Sequence, residues 1–379
     1  MWQTDETPEW RAAPPWLMDE MVASEPALAR SIGACGEAAG RLADRLRAAV
    51  AADDPVVVTG CGTSEHAARA IGDLLNATIR LRSRRGGRVE VRQALEAALD
   101  PRGGVCLGVS HDGATRATIL ALEATRAAGG TTALITARAD APATAVADEV
   151  CVTPQRDRSW CHTVAYLSPI LFGGLIVEAL GGPALDTTSL GVYLDAVLSR
   201  REQADGCAAA LHGSTRLIAC GMGSDAVAAR ELALKVEEGA RMPASMRDVE
   251  TLLHGHLAAC DDRTGLIFIA TDPGGGERAT RRLILAAQAA RRVGVRVAAI
   301  VTPQIAASLP PEVTDAGRLV LPDGAGLPHP LASLAGTAVA LQLVTLGLVR
   351  RAGVNPDLIR REQEPYRAAA DIAEGDAAW

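Results

Sequence analysis

Three charged residues, Glu231, Lys235 and Glu238, are four and three positions apart, so on a helix they lie along one face. Lys235 is the only lysine of the chain, whose other basic side chains are arginines. A compact, titratable ammonium at this one position indicates chemistry that a planar guanidinium does not supply. Glu238 could move a proton between carbons, and His254, sixteen residues later, titrates near neutral pH. The alternative is an exposed Glu–Lys helix pair with a structural role only.

The composition is that of a globular protein large enough for two domains. The chain has 379 residues, of which 48% are hydrophobic and 22% charged, and its net charge is −7. The negative charge and the dispersed arginines argue against nucleic-acid binding. The apolar segment 331–349 contains polar residues and fits a buried helix better than a membrane span, so no membrane partner is expected. Eight cysteines without a CxxC pair, and no signal peptide pattern, predict a reduced, cytoplasmic protein.

Two loops, residues 60–64 and 110–115, each lie between a predicted strand and a predicted helix. Apolar runs predict strands at 56–58, 105–109, 132–136 and 149–152, and helices at 16–33, 35–51, 65–78, 115–128 and 163–180. Alternating strands and helices predict a doubly wound α/β domain with a mostly parallel sheet.

The same order of elements recurs about 160 residues later, where 215–224 corresponds to 55–64. Further strands are predicted at 265–270 and 295–301. Helices are predicted at 228–238, between the strand 265–270 and about residue 292, and at 331–351. We therefore expect two tandem α/β domains, each with a three-layer αβα arrangement. The predicted boundaries are an N-terminal arm and helix at 1–34, a first domain at 35–200, a second at 205–352 and a tail at 353–379.

The loop 60–64 offers free backbone amides and hydroxyls at the start of a helix, a suitable environment for an anion. Its two glycines lack the third glycine of the dinucleotide fingerprint, and no P-loop lysine follows, so nucleotide binding is a weaker alternative. The simpler interpretation of residues 60–64 is a tight turn that binds no ligand. If both loops bind, they could hold one anion at adjacent strand ends.

The sequence Gly60-Cys61-Gly62-Thr63-Ser64, together with the tandem repeat, resembles the sugar isomerase (SIS) domain family over roughly residues 20–366. It is similar to the isomerase half of glucosamine-6-phosphate synthase and to aminosugar-phosphate isomerases, deaminases and deglycases. Trp2 follows Met1 where a glutaminase domain would carry its cysteine nucleophile, so glutamine-dependent synthesis is not expected.

The resemblance implies site residues by position. Substrate-binding positions are Cys61, Gly62, Thr63, Ser64, Ser110, His111, Asp112 and Thr115, and Gly223 and Ser224 are expected to border the sugar. It implies that Glu238 moves the proton between C1 and C2, that Lys235 holds the open-chain hydroxyls and that Glu231 orients Lys235. His254 would open the sugar ring from the neighbouring subunit, so the resemblance implies a homodimer with shared sites, a sugar substrate and no cofactor.

Three departures from the family pattern concern the substrate. Asp112 replaces a serine of the second loop, a lysine is missing from 159–164, and the tail lacks its lysine, for which Arg360 or Arg361 could substitute. A carboxylate beside a phosphate is unfavourable, so three functions stay open: an isomerase or deaminase of a 6-phosphorylated aminosugar or ketose, the same chemistry on a non-phosphorylated or sulfonated sugar, and a non-catalytic regulatory protein that binds sugar phosphates. The spacing of the histidines at 66, 111 and 162 does not predict a metal site.

Overall fold

The structure is a computed structural model that describes residues 7–79, 89–324 and 326–375. Positions 1–6 of the predicted arm and 376–379 of the predicted tail lie outside the described residues.

The first unit is a five-stranded parallel sheet covered by helices. Its elements are α1 (Leu17–Ser31), α2 (Gly36–Ala51), β1 (Val56–Gly60), α3 (Thr63–Ile79), β2 (Glu90–Gln93), α4 (Ala94–Leu99), β3 (Val105–Val109), α5 (Arg116–Ala127), β4 (Thr131–Thr136), β5 (Glu149–Val152) and α6 (Val164–Ala179). The strand order is β2-β1-β3-β4-β5, and every pairing is parallel. β1 and β3 are buried along their whole length, as is typical of parallel strands covered on both faces.

The second unit repeats this arrangement. Its elements are α7 (Thr187–Leu198), α8 (Arg201–Leu211), β6 (Arg216–Cys220), α9 (Asp225–Lys235), β7 (Ala244–Arg247), α10 (Val249–Leu253), β8 (Thr264–Ala270), α11 (Gly276–Arg292), β9 (Arg296–Val301), α12 (Pro303–Ser308), β10 (Arg318–Val320) and α13 (Leu331–Ala352). The order β7-β6-β8-β9-β10 matches that of the first sheet, again with parallel pairings. α14 (Glu364–Glu374) lies in the tail.

The predicted fold class, two tandem α/β units with parallel sheets, is confirmed. The helix pair α7–α8 precedes β6 as α1–α2 precedes β1, so the order of elements favours a boundary between Ala179 and Thr187. We propose that boundary in place of the predicted 200–205.

The two units share one hydrophobic core, built around α6 and α13. Nearly every residue of these two helices is buried, and they pack against each other and against α3 and α9. Within the described residues, only α13 is long and apolar enough to cross a membrane, and its apolar window is wholly buried inside the protein. The apolar character of α13 is therefore accounted for by its place in the core.

Helices α3 and α9 pack side by side and run in opposite directions. Thr63 at the start of α3 contacts Glu231 near the end of α9, and Asp73 further along α3 bonds to Ser224 just before α9. We call the loops at the ends of β1 and β6, residues 60–64 and 221–224, the glycine loops. Each helix thus brings its carboxyl-terminal half to the glycine loop of the other unit.

Candidate active site

The centre of the candidate site is the ammonium group of Lys235, whose side chain is fully buried. Its Nζ lies 3.6 Å from Oε1 of Glu231 and makes a closer ion pair with Oε2 of Glu238. Glu231 is 1% exposed, whereas the Glu238 side chain is 22% exposed. The predicted cluster is therefore not a solvated helix face, and Glu238 is its member within reach of a ligand.

The sequence predicted one continuous helix at 228–238, but Glu238 lies beyond the end of the α-helix. α9 ends at Lys235 and continues as one π-helical turn, Val236–Ala240, which ends where Arg241 takes a left-handed conformation at φ 57°. Such wide turns occur often at functional sites. Here the π-helical turn carries Glu238, which pairs with Lys235 on the preceding α-helix.

The buried charges shift one another's pKa. Burial raises the pKa of Glu238 above its ordinary value and outweighs the attraction of Lys235. Burial also disfavours an ionised Glu231, but Lys235 and the hydrogen bond from His66 more than offset this effect. The pKa of Glu231 is therefore lowered. Burial opposes the charge on Lys235 too, yet the two carboxylates raise its pKa. Glu231 and Lys235 therefore form a buried ion pair, and Glu238 is the carboxyl group of the cluster whose pKa is raised.

The first loop supports the cluster from the opposite unit. Oγ1 of Thr63 donates to Oε1 of Glu231 at 3.2 Å. Nδ1 of His66 lies 2.7 Å from Oε2 of Glu231, and because a carboxylate oxygen only accepts, Nδ1 is the ring nitrogen that carries the proton. The Thr63 hydroxyl thus orients Glu231 rather than facing a bound anion. Gly62, at φ 55°, forms the turn between Cys61 and Ser64.

The second loop adjoins the first because β3 pairs with β1. Oγ of Ser110 donates to Oγ1 of Thr115 at 3.3 Å, so the two predicted hydroxyls are together. Nε of Arg156 lies 3.4 Å from Oδ1 of Asp112. The unexpected carboxylate of this loop is therefore paired with an arginine from the segment after β5.

The segment 157–163 joins the second loop to the lysine cluster. The backbone N–H of Asp157 donates to Nε2 of His111 at 2.9 Å, and the rings of His111 and His162 are 5.3 Å apart. Burial, with smaller contributions from His111 and Lys235, lowers the pKa of His162 well below its ordinary value. Both histidines are thus neutral at pH 7.

A cavity of about 290 Å³ opens beside these residues. Its walls include Asp112, Arg156, Trp160 and His162, together with residues 7–9 of the N-terminal arm. The tail also reaches this place, since the backbone N–H of Trp160 donates to the carbonyl of residue 357, and the guanidinium of residue 361 lies 5.1 Å from the Trp160 ring. The arm, the second loop and the tail therefore converge at this cavity.

Several predicted residues lie elsewhere within the chain. His254 follows α10 with its side chain 75% exposed, and its ion-pair partner is Glu250 at 3.3 Å. Ser224 precedes α9, so it is separated from Lys235 by the length of that helix, about 16 Å. The prediction that Gly223 and Ser224 border the same sugar is therefore wrong for a single chain.

The tail residue Arg360 is also differently placed from the prediction. Its guanidinium stacks on the Tyr366 ring at 4.0 Å and bonds to Gln363. It is Arg361 that packs on Trp160 in the wall of the cavity. His66 bonds to Glu231 and His111 accepts from the backbone of Asp157, and in the described part of the chain no three metal-ligating groups converge.

Sequence reasoning did not assign roles to His66, Arg156 and Asp157. Asp157 accepts hydrogen bonds from the backbone N–H groups of Ser159, Thr163 and Ala165, which fixes the entry into α6. A polar segment between a strand and a long apolar helix was the available signal for Asp157. No local signal pairs His66 with a residue 165 positions away.

Comparisons with known proteins agree with this architecture. No curated protein sequence matches the chain. Residues 210–306 match the SIS domain family. The C-terminal domain of glucosamine-fructose-6-phosphate aminotransferase from Francisella tularensis has a TM-score of 0.76 at 14% identity, over 91% of this chain and 98% of that one.

Two further solved structures are similar over most of their length. Tagatose-6-phosphate ketose/aldose isomerase from Escherichia coli has a TM-score of 0.74 at 18% identity, with 93% of this chain and 97% of that chain covered. Glucosamine-6-phosphate deaminase from Thermotoga maritima has a TM-score of 0.61 at 17% identity, with 80% and 88% covered. Residues 210–306, in the second unit, therefore match the SIS domain family, and the two units together have the same fold as these solved structures.

Proposed function

We propose that the protein is a sugar isomerase or deaminase that opens the ring of a hexose derivative and transfers a proton between C1 and C2. The observation that carries the proposal is the buried Glu231–Lys235 pair with the partly exposed Glu238 beside it. The similar solved structures include, by their titles, an isomerase and a deaminase of 6-phosphorylated sugars, which supports this class of reaction.

Proton transfer is assigned to Glu238. As a carboxylate it removes a proton from C1 of the open-chain ketose, and the electron pair forms the C1–C2 double bond of an enediol while O2 gains a proton. Returning the proton to C2, while O1 gives up its proton and becomes the carbonyl oxygen at C1, completes the aldose. The raised pKa of Glu238 suits this exchange, because a stronger base accepts the carbon-bound proton more readily.

Lys235 is assigned to the charge that develops on the sugar oxygens. Its ammonium is held by two carboxylates in a buried site, where a fixed charge stabilises an enolate strongly. Glu231, held by Thr63 and His66, keeps the ammonium in place.

His254 is assigned to ring opening in a neighbouring subunit. It is exposed, and its ion-pair partner among the described residues is Glu250 of the preceding helix α10, so its side chain can reach into a second copy of the chain. We therefore propose a homodimer in which each site combines Glu238 of one subunit with the ring-opening histidine of the other. Six of the eight cysteines are buried free thiols, which supports a reducing, cytoplasmic location.

The substrate we favour is a 6-phosphorylated aminosugar or ketose. Ser110 and Thr115 supply neighbouring hydroxyls at the start of α5, and Arg156 supplies a cation. A second candidate is a non-phosphorylated or sulfonated sugar, which the Asp112–Arg156 pair favours, because a dianion would have to compete with Asp112 for that arginine.

The test is proton exchange in deuterated water, followed by nuclear magnetic resonance. Fructose-6-phosphate, glucosamine-6-phosphate and their unphosphorylated and 6-sulfonated counterparts are each incubated with the protein. Deuterium is expected at C1 or C2 of one sugar, and Glu238→Gln should abolish it while binding persists. Glu237→Gln is the matched control, since that neighbouring carboxylate is exposed. Tight binding without exchange by the wild type would instead make the protein a sugar-phosphate sensor.

The shared site is tested by mixing two inactive variants, Glu238→Gln and His254→Asn. In a hybrid dimer one site has both native residues, so subunit exchange should restore about a quarter of the wild-type rate if the two chains mix randomly. A mixture that stays inactive, although mass spectrometry shows hybrids, would refute the shared site.

A further inference from the structure

A second cavity, of about 820 Å³, lies in the second unit, away from the lysine cluster. It is lined by the segments that follow β6, β8, β9 and β10, among them Gly223, Asp272, Thr302 and Leu321. The carboxyl ends of parallel strands are where open α/β sheets bind ligands, and the volume is ample for a small molecule. Nothing in the proposed reaction uses this space.

This cavity occupies the same place in the second unit as the proposed site does in the first. Asp272 is the second residue after β8, as His111 is after β3, and His329 lies two residues before α13, as His162 does before α6. In place of two neutral histidine rings, the second cavity has an ion pair, with Nε2 of His329 at 3.0 Å from Oδ1 of Asp272.

The second cavity is unsuited to a phosphate. The hydroxyl of Thr271 already donates to the buried carboxylate of Asp225 and contacts Thr337, so it is not available to an anion. The hydrogen bond from His329 is the largest of the effects that lower the pKa of Asp272 to about 2, so this carboxylate stays charged. The lining contains four carboxylates, at positions 225, 272, 277 and 323, but only one arginine, at 281.

The cavity also lacks the counterparts of the Glu231–Lys235 pair. The positions of α3 that correspond to Glu231 and Lys235 of α9, counted from the glycine loops, are Ala70 and Leu74. Much of the remaining wall is apolar, including Tyr193 and residues 303, 305 and 327. A molecule held here would contact carboxylates on one side and apolar surface on the other.

We propose that this cavity is a second, non-catalytic binding site for a phosphate-free small molecule that carries an amine, of the amino-sugar class. The amine would pair with the carboxylate of Asp272, and the carbon skeleton would lie on the apolar wall. The proposal does not depend on the reaction assigned to Glu238.

Isothermal titration calorimetry with glucosamine tests the proposal, with glucose and glucosamine-6-phosphate as comparators. Asp272→Asn should weaken glucosamine binding about tenfold or more, because a charged hydrogen bond is lost. Thr280→Trp, which narrows the cavity from α11, should abolish binding without touching Asp272. Asp262→Asn is the matched control, an exposed aspartate of the same unit outside the cavity.

The midpoint of urea unfolding, followed by circular dichroism, serves as a check of folding and should be nearly unchanged in all three variants. Binding of glucosamine that is lost in Asp272→Asn and Thr280→Trp, but kept in Asp262→Asn, would support the second site. Three results would each overturn the proposal. The first is that the wild type does not bind glucosamine, and the second is that Asp272→Asn binds it as tightly as the wild type. The third is that glucosamine-6-phosphate binds more tightly than glucosamine and that Asp272→Asn and Thr280→Trp weaken this binding.

Discussion

Replacement of Lys235 by methionine tests whether the buried charges form one unit. Methionine keeps most of the aliphatic volume but leaves Glu231 as an uncompensated charge that is 1% exposed. Removing one partner of a buried pair costs about 3–5 kcal/mol. Glu231 keeps its hydrogen bonds from Thr63 and His66, and Glu238 can turn to solvent, so we expect the lower end, about 3 kcal/mol.

The assay is urea unfolding at pH 7, followed by circular dichroism, with the free energy of unfolding obtained by linear extrapolation. The double variant Glu231→Gln/Lys235→Met removes both charges, so its loss should be smaller than the sum of the single losses by about 2 kcal/mol. Arg230→Met is the control, since this exposed residue of the same helix should change stability by less than about 0.5 kcal/mol.

The pH dependence of the effect follows from Glu231. Its pKa is lowered in the folded protein, so the stability that it contributes is present above its unfolded pKa and is lost as the pH falls through the folded value. A loss below about 1 kcal/mol for Lys235→Met at pH 7, or strictly additive losses in the double variant, would refute a coupled buried pair.

Three further predictions concern single positions. Glu238 has a raised pKa, so stability that it contributes is lost as the pH rises through that value, and the acid limb of kcat/KM should lie above pH 4.5. Gly60→Ala and Gly221→Ala should each destabilise by about 1–3 kcal/mol in urea unfolding, because the added Cβ would lie 2.7 Å and 2.5 Å from backbone atoms. Iodoacetamide should label the two partly buried thiols, Cys61 and Cys260, and substrate should slow labelling at Cys61 alone, as measured by mass spectrometry.

The strands that the sequence missed, β2, β7 and β10, are all at sheet edges, and of the four edge strands it predicted only β5. β1 and β3 are continuous apolar runs because both faces are covered. β2, with the sequence Glu-Val-Arg-Gln, pairs only with β1, and β7, Ala-Ser-Met-Arg, pairs only with β6. An edge strand that is half exposed has no apolar run to reveal it.

The site was predictable where its residues are close together in the sequence. The spacing of Glu231, Lys235 and Glu238 indicated a common face, because helix periodicity is a local property. The partners His66 and Arg156 were not predictable in the same way. Their contacts depend on how α3 packs on α9 and on how the segment after β5 crosses the second loop, which no local periodicity encodes.

The antiparallel packing of α3 and α9 explains why a chain with two similar units would have one reactive centre. Each glycine loop faces the second half of the helix from the other unit, so the residues beside a loop come from the opposite repeat. α9 presents Glu231 and Lys235 to the first loop, whereas α3 has Ala70 and Leu74 at the corresponding positions. The residues of the proposed reactive centre and the loop that faces them thus belong to different units.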